Sequence, residues 1–211
     1  MMKIALIGAN GTVGQRILQE ALRRGHEVVA IVRDISRITE KNTNLQVVAG
    51  DILNPVSITK AIRGADAIIS AYGPKHGEEY NMENSAKSLL NGVQDAGVNR
   101  LLIVGGAGSL EVAPGLQLVD APSFPEDWKP IARAHGKSLE IFRSADLDWT
   151  YFSPAAMFAP GERTGKFRIG NDQLLTDEKG ESHISMEDYA IAMIDEVVNP
   201  RFIRKRFTIA Y

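Results

Sequence analysis

The chain contains no cysteine. That excludes disulfides, a thiolate nucleophile and any thiolate metal site, and it suits a reducing compartment. Charge of either sign is not in surplus: 24 Lys and Arg against 26 Asp and Glu leave a net charge of −2. A surface so balanced has no electrostatic means of holding nucleic acid or an anionic membrane. No apolar run approaches the roughly 20 residues that a bilayer span needs. Met1 leads directly into the first apolar run, so no signal peptide is expected, and the cytoplasm is the expected location. Internal repeats and low-complexity tracts are also missing. What remains is 211 residues with 44% hydrophobic content, long enough for one substantial core.

The first half of the chain is the most informative. Ile4 to Ile7 reads as a buried parallel strand that stops at Gly8. Glycines follow at three-residue spacing, Gly8, Gly11 and Gly14, and the apolar pattern then turns helical through Val13, Ile17, Leu18, Ala21 and Leu22. Strand, glycine turn and helix form the setting of a dinucleotide fingerprint, here spaced G-x-x-G-x-x-G. Gly8 permits the tight turn, Gly11 lets the backbone approach a pyrophosphate, and Gly14 brings helix and strand together. Free N–H groups at the helix start would hold the phosphates.

Further strands are expected over Glu27–Val32, Leu45–Ala49, Ala65–Ala71 and Arg100–Gly105, with helices over 12–25, about 55–63 and 81–97. Gly25, Gly64 and Gly97 stand where left-handed helix caps are wanted, and Asn54-Pro55 suits a helix start. Strict alternation predicts an α/β fold, a Rossmann-type doubly wound parallel sheet. A long Pro-bearing connection, Leu110–Pro130, precedes a helix over about Ile131–Ser144 and a strand over Trp149–Ser153. The turn-rich piece Gly161–Ser182 reads as a small hairpin lobe, followed by a helix over Ser185–Val198 and a strand over Arg206–Ala210. The chain is thus read as a single domain. Residues 1–153 form a cofactor-binding core, and 154–211 form mostly a C-terminal substrate-side lobe with the last helix and strand.

Arg33, at the end of the second strand, suits the 2′-phosphate of NADP through a bidentate contact. Asp34 either orients Arg33 or turns to a ribose, which would restore NAD binding. NADP(H) is therefore the preferred cofactor and NAD(H) the alternative. Asp51 and Ile52 follow the third strand where adenine would lie, and Asp51 either meets the adenine or closes a turn. Ala71, Tyr72 and Gly73 follow the fourth strand and leave room for a cofactor, with Tyr72 either stacking near the nicotinamide or standing as a rim aromatic. Ser109, in the glycine-rich turn after the fifth strand, is a candidate catalytic hydroxyl or a plain turn serine. His135 is a candidate proton donor or part of a solvated helix face with Arg133 and Lys137.

One absence bears directly on chemistry. Carbonyl reduction in this broad class uses Tyr-x-x-x-Lys, whose lysine lowers the tyrosine pKa. Four residues after Tyr72, Tyr80, Tyr151 and Tyr189 stand His76, Asn84, Ala155 and Met193, and Tyr211 is last. A ketone or alcohol loses its usual general acid.

Over essentially its whole length the chain resembles the atypical short-chain dehydrogenase/reductase superfamily. Within it, the chain is similar to the NADH-flavin reductase group related to biliverdin reductase B and NmrA-like proteins. The resemblance rests on Ile4–Gly14, Gly50–Pro55, Val104–Pro114, Leu147–Pro154 and Arg163–Arg168. It implies that Gly8, Asn10, Gly11, Thr12, Val13 and Gly14 hold the pyrophosphate, that Arg33 holds the adenosine ribose or its phosphate, and that Ser109 sits by the nicotinamide. It also implies hydride transfer to a flavin-like conjugated acceptor, a flavin, quinone or tetrapyrrole, with flavin as substrate rather than a tightly bound group. A non-catalytic NAD(P) sensor is the second reading and an epimerase or dehydratase the third. No metal is expected, and the expected partners are a planar small molecule and, at most, a second copy of the chain in a homodimer.

Overall fold

The computed structural model describes residues 1–211. In chain order the elements are β1 (Lys3–Ile7), α1 (Thr12–Arg23), β2 (Glu27–Val32), β3 (Leu45–Ala49), α2 (Pro55–Ile62), β4 (Ala67–Ser70), α3 (Asn81–Ala96) and β5 (Arg100–Val104). Then come β6 (Glu111–Ala113), β7 (Leu116–Gln117), α4 (Lys129–Arg143), β8 (Asp148–Ser153), β9 (Met157–Ala159), β10 (Arg168–Gly170), β11 (His183–Ser185), α5 (Met186–Val198) and β12 (Lys205–Ala210). Eight strands form one sheet in the order β10-β12-β8-β5-β4-β1-β2-β3. Every neighbouring pair is parallel except β10 with β12.

The strand sequences explain why the sheet lies between two helical layers. Successive side chains of a strand point to opposite faces, and β1 is apolar on both. Ile4 and Leu6 pack with Ile17 and Leu18 of α1 and with Met193, Ile194 and Val197 of α5. Ala5 and Ile7 pack on the other side with Ile58 of α2, Leu89 and Val93 of α3, and Leu139 and Phe142 of α4. Strands without a polar face can only be central, since each exposed Ile or Leu would forgo roughly 1.5–3 kcal/mol of burial. Beyond β5 the first layer is fixed by stacked aromatics. The Phe152 ring lies 3.8 Å from that of Tyr189 and 4.0 Å from that of Phe207, and Tyr189 donates to the Phe152 carbonyl at 2.6 Å.

Local signals held where they were strong. Gly25, Gly64 and Gly97 all have positive φ, at 77°, 73° and 70°. Asn54 caps α2 through its side chain, with Pro55 in the first turn. The separate hairpin lobe is corrected. No two strands pair within residues 161–182, whose only internal turn closes at Asp177–Glu181: β10 joins the main sheet beside β12, and β11, just after the segment, pairs in parallel with β9. The intended lobe is instead tied down across α5. Buried Asp188 accepts from Thr164 N and Gly165 N at 2.8 Å, from Thr164 Oγ1 at 2.5 Å and from Tyr211 OH at 2.8 Å. The connection 110–130 holds the β6–β7 hairpin and two short 3-10 turns. No helix is long and apolar enough to cross a membrane.

Candidate functional site

Strand order reverses at β1, whose neighbours are β2 and β4. In open α/β sheets ligands bind at such a point, outside the carboxyl ends of the strands. A cleft opens there, lined by Gly8, Asn10 and Gly11 of the glycine turn, Arg33 after β2, Asp51 and Ile52 after β3, and Ala71, Tyr72 and Gly73 after β4. The structure thus brings together nine of the residues nominated from sequence.

The glycines act as spacing demands. Gly8 has φ 79°, and a Cβ there would lie 2.7 Å from the Ala71 carbonyl oxygen. At Gly14 a Cβ would lie 2.1 Å from the Gly8 carbonyl oxygen and 2.9 Å from its carbon, so only glycine lets α1 seat against the turn. Gly11 is the N-cap of α1 and offers no capping side chain. The first amides of α1, at Thr12 and Val13, therefore keep the unsatisfied donors and positive dipole end that suit a pyrophosphate. Thr12 is exposed and Val13 half-buried, so these two serve through their backbone.

The Arg33–Asp34 ambiguity has a geometric answer. Asp34 accepts from Ser36 N at 3.0 Å and from Ser36 Oγ at 2.7 Å, which caps the 3-10 turn Ile35–Arg37. Both bonds fall on its Oδ1, and Arg33 stands exposed at the cleft without an ion-pair partner. Of the two roles considered for Asp51, the turn is seen directly. The residue lines the cleft while its Oδ1 accepts from Leu53 N at 3.0 Å. Burial pushes the Tyr72 phenol up; the Arg33 charge opposes that, and Glu78 and Asp51 add to it. Three charges therefore face one phenol. Glu78 and Asn81, also in the cleft lining, were not anticipated. Their signal was positional: the loop after β4 must pass over the same carboxyl edge.

Ser109 lies in the turn after β5, beside Arg206. It is not among the cleft-lining residues. Its Oγ accepts from Arg206 Nη1 at 2.8 Å and its carbonyl from the same nitrogen at 3.0 Å. Arg206, nearly buried on β12, also holds Asp172 at 2.6 Å. Ser109 thereby anchors the turn after β5 to the far side of the sheet. The Arg163–Arg168 stretch is likewise a tether: Arg163 reaches Glu20 on α1 at 3.0 Å, and Arg168 reaches the Tyr211 carbonyl at 2.5 Å.

The glycine turn after β5 packs on two polar rings. A Cβ at Gly105 would lie 2.2 Å from Tyr151 Cε1, and one at Gly106 would lie 2.9 Å from His135 Cγ. The Tyr151 hydroxyl donates to the His135 carbonyl at 2.9 Å and lies 3.3 Å from both His135 Nδ1 and Ser138 Oγ. Desolvation pushes the His135 imidazole down to about 4 and the Tyr151 phenol up to about 12. Both rings are neutral near pH 7. Lys137, two residues on, pairs with Glu83 at 3.2 Å.

A doubly wound sheet with a glycine cradle at its switch point defines a Rossmann-type fold of the dinucleotide-binding class. The chain belongs to the NAD(P)H-binding family, whose profile matches residues 8–200. Over 99% of its length it is 41% identical to the uncharacterized protein YwnB of Bacillus subtilis (strain 168), covering 98% of that protein. Among solved structures it is similar to a protein of Bacteroides thetaiotaomicron provisionally named an epimerase (45% identity, TM-score 0.94, 100% and 97% of the two chains). It is also similar to one of Streptococcus pneumoniae TIGR4 provisionally named an NADH-flavin reductase (36% identity, TM-score 0.89, 100% and 99%).

Proposed function

We propose that this chain is an NAD(P)H-dependent oxidoreductase that passes hydride to a planar conjugated acceptor of the flavin type, with NADPH the preferred donor. The observation that carries the reading is the state of the polar groups at the carboxyl edge. Tyr151 is raised to about 12 and gives its proton to a backbone carbonyl, and His135 is lowered to about 4. Neither is a ready acid at neutral pH. A simple ketone needs a proton as hydride arrives. A flavin spreads the incoming charge over its ring system and takes its proton from water, so it asks mainly for close, parallel alignment.

The residues present fit the dinucleotide. Gly8, Asn10 and Gly11, with the α1 amides, would seat the pyrophosphate. Arg33 would meet the 2′-phosphate, Asp51 and Ile52 would border the adenine, and Ala71–Gly73, which line the same cleft, would border the nicotinamide half. When bound, the nicotinamide supplies the hydride; the chain's own part is to fix its face and to exclude water from it. The test is oxidation of NADPH and NADH in the presence of FMN, FAD and a quinone. Reduction of FMN or FAD above a no-enzyme control is the expected result, and failure of all three acceptors ends the reading.

The same lack of an acid supports a second reading, a non-catalytic sensor of the NADP(H) couple. Distinct affinities for NADP+ and NADPH, a co-purifying protein and no turnover on any acceptor would favour it.

A further inference from the structure

His135 was nominated as a proton donor, yet its surroundings give it the opposite polarity. The imidazole lies against Gly106, at the carboxyl end of β5 and one strand away from the β4 end that lines the cofactor cleft. Beneath it the Tyr151 hydroxyl has one proton, and the 2.9 Å bond to the His135 carbonyl takes it in preference to the 3.3 Å approach to Nδ1. Ser138 Oγ likewise spends its proton on the His135 carbonyl, at 2.9 Å. The only hydrogen left for the Nδ1–Tyr151 contact is one carried by Nδ1 itself. Fixing one ring nitrogen as donor fixes the other as acceptor. Nε2 has no partner in the protein, and it is not among the buried polar atoms left unpartnered, so it is open at this edge.

We infer that His135 Nε2 is a hydrogen-bond acceptor that recognises an N–H group on the rim of the planar substrate, with Tyr151 and Ser138 as the positioning residues that set its tautomer. This rests on the proposed function and narrows it. An isoalloxazine carries an imide N–H between two carbonyls of its pyrimidine ring; a simple quinone carries none. The site is therefore assigned to a flavin over a quinone. Desolvation, which keeps the ring neutral through the physiological range, is consistent with this role.

The experiment compares lumiflavin with 3-methyllumiflavin, in which that N–H is blocked, as acceptors for NADPH. Loss of one such hydrogen bond corresponds to a drop in kcat/KM of about fivefold to tenfold in the wild type. His135→Phe should level the two acceptors, and His135→Gln, whose carbonyl accepts, should keep part of the preference. Equal rates in the wild type, or a preference that survives His135→Phe, overturn the inference. If neither flavin is reduced, the proposed function has failed and takes the substrate assignment with it; the tautomer on which the inference stands is read separately from long-range 1H–15N correlation spectra of the protein. Those should show the His135 proton on Nδ1, moving to a mixture of tautomers in Tyr151→Phe. A proton on Nε2 in the wild type overturns it whatever the kinetics.

Discussion

Replacing Arg33 by glutamine tests the proposal that its guanidinium selects NADPH over NADH. The guanidinium stands at the cleft with no carboxylate of its own, because Asp34 is engaged by Ser36 at 2.7 and 3.0 Å. Its hydrogen-bonding capacity is thus available to a 2′-phosphate. Hydrogen bonds to charged groups contribute roughly 1.5–3 kcal/mol, and about 1.4 kcal/mol is a factor of ten in affinity. Asp51 and Glu78 share the cleft and reduce the positive field there, which favours the lower end of that range. The expected outcome for Arg33→Gln is a loss in NADPH affinity of roughly 10- to 30-fold, with NADH changed less than about threefold. The wild-type preference should also shrink as salt rises, since the contact is exposed and screened. Ser36→Ala removes the 2.7 Å hydroxyl bond and leaves the 3.0 Å backbone bond to Asp34, so it should change NADPH affinity much less than Arg33→Gln. The assay is titration of nucleotide fluorescence at two ionic strengths. Equal weakening of NADPH and NADH, or no change in either, would refute the selection argument.

Two further perturbations test the cradle and the acid response. Gly14→Ala places a Cβ 2.1 Å from the Gly8 carbonyl oxygen, so α1 must retreat from the turn; the expected cost is about 2 kcal/mol, or roughly 4–8 °C in melting temperature, with weaker binding of both dinucleotides. Gly11→Ala meets its nearest neighbour only at 3.3 Å and should be much milder; equal effects at the two positions would contradict the packing argument. Acid should destabilise the protein in two windows. His135 falls from 6.5 to about 4 on folding, so stability drops as pH descends through that interval and the unfolded chain takes up the proton first. Burial alone would raise the Glu20 carboxyl, but hydrogen bonds from Arg163, Arg23 and Arg24 outweigh it and bring the group from 4.5 to about 2. Its contribution, roughly 2 kcal/mol after screening at the exposed arginines, is present above about pH 4.5 and lost toward pH 2. Urea unfolding across pH 2–8 should show both losses; His135→Gln should shrink the upper one to the part left by His26, whose imidazole burial also pushes down, and a flat profile between pH 7 and 5 in the wild type would dismiss the upper window.

What could be read from the sequence follows the range of the forces involved. Asn54-Pro55, Gly25 and Gly97 are local devices, satisfied within a few residues, and each acts in the structure as its sequence context implies. Ile4 to Ile7 announces its central place because both faces of the strand are apolar. The cleft at the switch point was legible because one motif and three strand ends line it. Three-residue β10 was not, since so short a run shows no alternation and its partner β12 lies about forty residues on. Ser109 looked like a free hydroxyl because Arg206 is 97 residues away in the chain. Tyr151 was weighed only as the head of a missing motif, and its grip on His135 depends on a sheet register no spacing reveals.

The pairing of α1 with α5 has a consequence for how the protein is made. On that side of the sheet the helical cover comes from the two ends of the chain, Thr12–Arg23 and Met186–Val198. A ribosome has released every cleft-lining residue once Asn81 is out, yet Ile4, Leu6, Ile17 and Leu18 then lack the Met193, Ile194 and Val197 side chains that complete their packing. At roughly 5–20 residues per second, the interval before α5 arrives lasts between about 5 and 25 seconds. For that time the glycine turn and its strands lack the last helix of their layer, and capture of a dinucleotide by whatever fraction has folded would stabilise it.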